Sequence, residues 1–101
     1  MANTVKWLSY DFHVLTLDAS WTADGGIYIF TGLKDNTWHP YYVGIADSLK
    51  VRLATHERWS EAVQLGATHV HARVASLAAT REAIEKELIA QYQPPLNTHH
   101  R

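Results

Sequence analysis

The chain has 101 residues, 47% of them apolar and 19% charged, with five glycines, three prolines and no cysteine. That balance suits one globular domain burying roughly 65% of its unfolded surface, and it excludes a disordered or low-complexity chain. Without cysteine there are no disulfides, thiolate-bound zinc or thiol catalysis, and nine Lys and Arg against ten Asp and Glu exclude a protein that coats DNA by charge alone.

No apolar run approaches the ~18 residues of a membrane span, and no basic segment leads into an apolar one at the start, so the expected setting is a reducing cytoplasm. Residues 1–24 read as an N-terminal arm or extra strand, in which residues 12–17 alternate weakly. Asp24-Gly25-Gly26 is a turn signal. Residues 27–31 are predicted as a strand and 41–45 as its hairpin partner, with Trp38-His39-Pro40 at the tip of a polar connection. Asp47 or Ser48 caps a helix from 49 to about 65, with room for a break near Arg58, and Gly66 ends it. Residues 68–74 alternate cleanly between polar and apolar, the best strand signal in the chain. A second helix runs from 80 to about 92 and stops before Pro94-Pro95. The expected class is α+β: a small three-stranded, mainly antiparallel sheet with helices packed on one face.

Strand alternation puts Ile27, Ile29, Val43 and Ile45 on a core face and Tyr28 and Tyr42 on the other, beside Gly44. If Val70, Ala72 and Val74 seek the same core, His69, His71 and Arg73 join the tyrosines. The same pattern also suits ordinary cross-strand pairs on a wet face. On the first helix Arg52 and His56 are i,i+4 neighbours at the edge of the Leu49/Leu53 stripe, which Trp59 and Val63 extend if the helix is unbroken. On the second, with Ile84 at 0°, Leu88 falls at ~40° and Glu85 at ~100°, inside the apolar stripe. A carboxylate there must be paired, metal-bound or neutral. Arg81, one turn earlier, offers an i,i+4 partner, so spacing alone leaves metal ligand and ion pair both open. His69 and His71 share a face and could chelate zinc, but with no third ligand close in sequence a surface strand fits better. Trp38, at a hairpin tip, is a candidate for stacking on an unpaired base.

Gly26-Ile27-Tyr28 and Tyr42-Val43-Gly44 resemble the paired strands that name the GIY-YIG nuclease family, with Val43 in place of the second isoleucine. Arg52 follows Tyr42 by ten residues, where that family's helix has an arginine, and His56, four later, resembles a common family histidine. Glu85, followed by Leu88-Ile89, Pro94-Pro95 and Asn97, resembles the family's terminal signature of metal-binding glutamate, proline and asparagine. The resemblance spans residues 25–97 and leaves 98–101 as a flexible tail. Each tripeptide alone is weak; six elements in order are specific. Ile45 departs from members with a lysine there, the connection from 29 to 41 is slightly long, and the 101 residues hold no second DNA-binding domain.

The resemblance implies a metal-dependent endonuclease hydrolysing DNA phosphodiester bonds, with Tyr28, Tyr42, Arg52, His56 and Glu85 as catalytic residues. Glu85 would hold one Mg²⁺ or Mn²⁺ and Arg52 would clamp the scissile phosphate. Tyr28 would be the general base or its relay, Tyr42 would orient water or phosphate, and His56 would take a proton from a tyrosine or touch phosphate. Gly44, His69, His71, Arg73 and Asn97 are the nucleic-acid-binding candidates, Asn97 chiefly positioning the site. Near-neutral charge favours single-stranded, flapped or branched DNA, or delivery by a recruiting protein, over plain duplex, in DNA repair or recombination and as a monomer or weak dimer. Positive potential is expected on the tyrosine face, with Glu57, Glu61 and Glu87 elsewhere, and binding should strengthen below pH ~6.5 as histidines charge. The alternative reading is a non-catalytic nucleic-acid-binding or protein-interaction module on the same fold.

Overall fold

The computed structural model describes residues 3–97, so the expected tail at 98–101 lies outside the described residues. The described residues form five strands, not three: β1 (Thr4–Trp7), β2 (Tyr10–Leu15), β3 (Gly26–Lys34), β4 (Thr37–Ala46) and β5 (His69–Val74). Their order is β1-β2-β5-β3-β4, and every neighbouring pair is antiparallel. Three helices follow the same chain: α1 (Leu49–Ala54), α2 (Trp59–Leu65) and α3 (Ala78–Tyr92), with a single 3₁₀ turn at Pro95–Asn97. Among the described residues no helix is long and apolar enough to cross a membrane.

The first 24 residues thus supply a strand hairpin. Its turn is tight because Leu8 takes a left-handed φ of 58° between the paired Trp7 and Tyr10. The β3–β4 turn is equally tight. Asp35 and Asn36 have φ of 55° and 62°, the left-handed pair that matches strand twist in a two-residue hairpin. Trp38-His39-Pro40 therefore lies inside β4 and not at a loop tip. Pro40 is tolerated there because β4 is an edge strand, where a missing N–H breaks no ladder on the open side.

Helices pack on both faces, which corrects the one-face expectation. On one face Tyr28, Phe30, Val70 and Ala72 pack with Leu49 and Leu53 of α1 and Ala62 of α2. On the other, Ile27, Ile29 and Val43 pack with Ile84 and Leu88 of α3 and with Trp7 and Phe12 of the N-terminal hairpin. Each fully buried aliphatic side chain contributes roughly 1.5–3 kcal/mol, so neither face is a wet one. The helix predicted from 49 to 65 breaks at Thr55, which is extended, and α2 ends on Gly66 at φ 122°. The break turns Val63 outward, to 47% exposure, and buries Ala62 in its place.

Register corrects the third strand as well. Tyr28 pairs with Ala72 and Ile29 with His71, so His69, His71 and Arg73 share the Ile27/Ile29 face, opposite the tyrosines. His71 is fully buried and accepts the Trp7 Nε1–H at 2.9 Å on Nδ1, with the Trp38 ring 4.5 Å away. Arg73 donates to the Asp11 carbonyl and lies over the Tyr10 ring. His69 stands edge-on to Trp38. Among the described residues no three His, Cys, Asp or Glu gather as a metal cluster, so the zinc reading of His69 and His71 has no third ligand.

Burial lowers the His71 pKa from its ordinary value to about 4. Its neutral form is the folded form, so its stabilisation is complete above the unfolded value near 6.5 and is lost as pH falls toward 4. Between pH 7.5 and 4.5 this site alone should cost about 2–3 kcal/mol of stability. Urea unfolding of wild type and His71→Gln at the two pH values checks this; the glutamine can still accept from Trp7, and its pH-dependent loss should be smaller by that amount.

Candidate active site

Tyr28 leaves β3 toward α1, and its ring packs against Gly44 on the neighbouring strand. A Cβ at Gly44 would come 2.4 Å from both Tyr28 Cζ and Oη. The glycine is therefore required by close approach, and its contribution is room for the tyrosine. Tyr42, two residues earlier on β4, is half-buried on the same face, 6.3 Å from the Tyr28 ring centre to centre.

The break between α1 and α2 inserts His56 edge-on between these rings and Phe30. His56 Nδ1 accepts the Arg58 backbone N–H at 3.1 Å, and Nε2 lies 2.7 Å from Tyr28 Oη. Burial, with Arg52 nearby, depresses the His56 pKa to about 4, so the ring is neutral at pH 7. A neutral ring that accepts on Nδ1 has its proton on Nε2. In this state His56 donates to Tyr28. Burial raises the Tyr28 phenol well above its ordinary value, against the opposing pull of Arg52. Tyr42 moves the same way for the same first reason, opposed by Arg52 and Arg58.

Arg52, in the last turn of α1, makes a two-pronged bridge to Glu57: Nη1 to Oε1 at 3.1 Å and Nη2 to Oε2 at 2.9 Å. Glu57 was expected away from the site and is inside it. Arg52, acting first, holds the Glu57 pKa down to about 2. Glu85 projects half-buried from α3 into a cleft of ≈ 400 Å³ lined by Tyr42, Glu57, Arg58, Ile89, Leu96 and Asn97. Arg81, its i,i+4 neighbour, donates to Asp47 at 2.6 Å and to the carbonyls of Ala75 and Ser76, tying the start of α3 to the end of β4.

Asn97 closes the cleft from below. Its side-chain amide accepts from Val43 N at 2.7 Å and donates to Val43 O at 2.9 Å, as a neighbouring strand would. The open edge of β4 is thereby satisfied where the catalytic candidates cluster. Both ends of the Asn97 amide are on backbone and the residue is 8% exposed, which leaves little of it open to a ligand.

Tyr28, Tyr42 and His56 thus gather on one face with Arg52 of α1 beside them, and Glu85 of α3 lines the cleft at the β4 edge together with Tyr42 and Glu57. His69, His71 and Arg73 do not join them, so the histidine-dependent gain in binding below pH ~6.5 loses its basis. Glu57 and Arg58 were missed; their only sequence signal was the suspected break near Arg58.

The chain matches no protein-family model and no curated protein. Among solved structures it is similar to the GIY-YIG N-terminal endonuclease domain of UvrC from Thermotoga maritima. Against a point mutant of that domain bound to its catalytic divalent cation, the TM-score is 0.65 at 23% identity, over 78% of this chain and 88% of that one. Against the domain bound to magnesium it is 0.64 at 24% identity, over 77% and 88%. The chain has the fold of a GIY-YIG endonuclease domain.

Proposed function

We propose that the chain is a metal-dependent endonuclease of the GIY-YIG family that hydrolyses DNA phosphodiester bonds, with single-stranded, flapped or branched DNA as substrate. The observation that supports this most is that Tyr28 packs beside Tyr42 and Arg52 grips Glu57, while Tyr42 and Glu57 line one cleft with Glu85, within an endonuclease-domain fold. The site residues divide the work by their chemistry. Arg52, always charged and fork-shaped, binds the scissile phosphate and the charge that develops on it. Tyr28, protonated at neutral pH, donates a hydrogen bond toward the attacking water or a phosphate oxygen, and the His56 Nε2–H supports any negative charge its oxygen takes on. Tyr28 acts as a base only when cations in the cleft draw its proton away. Tyr42, beside Tyr28 on the same face, orients water or phosphate.

Glu85 is a hard oxygen donor, half-buried and facing an open cleft, which suits a cation that keeps most of its waters. Glu85 would hold Mg²⁺ or Mn²⁺; when bound, such an ion supplies Lewis-acid relief to the departing oxygen. Four of the nine Lys and Arg side chains are bridged to carboxylates on the protein itself, which weakens the grip on a plain duplex. Incubating end-labelled single-stranded, duplex, flapped and branched DNA with Mg²⁺, Mn²⁺ or EDTA tests the reading. Cleavage of the flapped or branched forms with either metal and none with EDTA is expected; no cleavage of any form under any condition would overturn it.

A further inference from the structure

In this structure Arg52 is already engaged. Its two terminal nitrogens meet the two oxygens of Glu57 side by side, the arrangement in which an arginine grips a phosphodiester. A phosphodiester brings Arg52 two oxygens and one negative charge, and so does Glu57. We propose that Glu57 is an internal competitor for the phosphate seat on Arg52, and that it makes the site selective for phosphodiesters with further cationic help in the cleft. The inference rests on Arg52 as the phosphate clamp of the proposed nuclease.

The bridge is a product of the site's own architecture. Arg52 and Glu57 are five residues apart, and on an unbroken helix they would point ~140° away from each other. They meet because the chain leaves the helix at Thr55 and turns through His56, the residue that holds Tyr28. The pair is open to solvent, with side-chain exposures of 34% and 70%, so it can be exchanged without unfolding anything. Glu57 also lines the same cleft as Glu85, Tyr42 and Asn97, so the competitor stands where a substrate enters.

Replacing a carboxylate by a diester on Arg52 leaves the charge unchanged, so Arg52 alone discriminates weakly between them. A ligand wins when a second cation, such as the ion proposed at Glu85, also holds it. Binding and metal are thereby coupled, and free DNA without the ion is held off.

Fluorescence anisotropy with labelled flapped DNA in EDTA reads this directly. Glu57→Gln and Glu57→Ala should bind about three- to tenfold tighter than wild type, because apparent affinity is reduced by the fraction of time Arg52 is taken. Their salt slope should steepen by about one unit. In Ca²⁺ the advantage should shrink. Glu82→Gln makes the same change in net charge on an exposed part of α3 and should shift affinity far less. An equal gain from Glu82→Gln would overturn the proposal, as would weaker binding by the Glu57 variants, which would mean that Glu57 props Arg52 in place. The Arg52 side-chain NMR signal, titrated with inorganic phosphate, separates this inference from the nuclease reading. Response at lower phosphate in Glu57→Gln supports the competitor even if no variant binds DNA, an outcome that sinks only the nuclease. Response at the same phosphate concentration in both proteins overturns the competitor whatever the DNA result.

Discussion

Glu85→Ala should lower Mg²⁺-dependent cleavage by at least ~10³-fold while the protein stays folded, because the change removes the carboxylate assigned to the ion and leaves both cores intact. Glu85 lies beside Ile84 and Leu88, which are buried against the sheet, but is itself only half-buried at the mouth of the cleft. The competing account made it the ion-pair partner of Arg81. Arg81 has its own carboxylate, Asp47, and two helix-start carbonyls. If Glu85 were structural, its removal would lower the melting temperature and spare metal-dependent turnover. Glu85→Gln, which keeps the shape and a carbonyl oxygen but not the charge, guards against a folding artefact. It too should lose most activity, with a melting temperature close to wild type.

Arg52→Ala should lose ~10²–10³-fold or more in turnover, the scale seen when one preorganised donor to developing charge is removed. Arg52→Lys should recover less than about tenfold of that loss, since an ammonium is a point charge and cannot meet two phosphate oxygens in one plane. The argument draws on the observed bridge: Arg52 meets a two-oxygen anion through both terminal nitrogens in this fold. Near wild-type rates for Arg52→Lys would mean that charge suffices and geometry does not matter.

The β3–β4 hairpin and the end of α3 were legible because glycine, proline and alternation mark them directly. The N-terminal hairpin was not, because its turn uses Leu8 in a left-handed conformation where no glycine or asparagine signals it. The faces of β5 were misread for a physical reason. Period-two alternation says which residues of one strand share a face, while register decides which face of the sheet that is. With apolar clusters on both faces, Val70 and Ala72 could join the tyrosine side, and they did. That choice sent His71 into the second core beside Trp7 and Trp38.

Within the site, Tyr28, Tyr42, Arg52 and Glu85 were singled out from motif and spacing, and the fold places Tyr28 beside Tyr42, which lines the cleft with Glu85. Glu57 was not readable, because its reach to Arg52 depends on the break at Thr55, where helical arithmetic stops applying. The His56 tautomer was equally hidden: it follows from a backbone N–H, that of Arg58, which no side-chain pattern reports.

The central claim is that Glu85 holds the divalent ion in the cleft that also contains Tyr42 and Asn97. Substoichiometric Mn²⁺ added to ¹⁵N-labelled protein tests it without any substrate, because the ion broadens the amide signals nearest to it. The account predicts that Glu85, Ile89, Tyr42 and Asn97 broaden first and that Glu85→Ala abolishes the effect. Broadening centred on another carboxylate or on His69, or an effect that persists unchanged in Glu85→Ala, would contradict it.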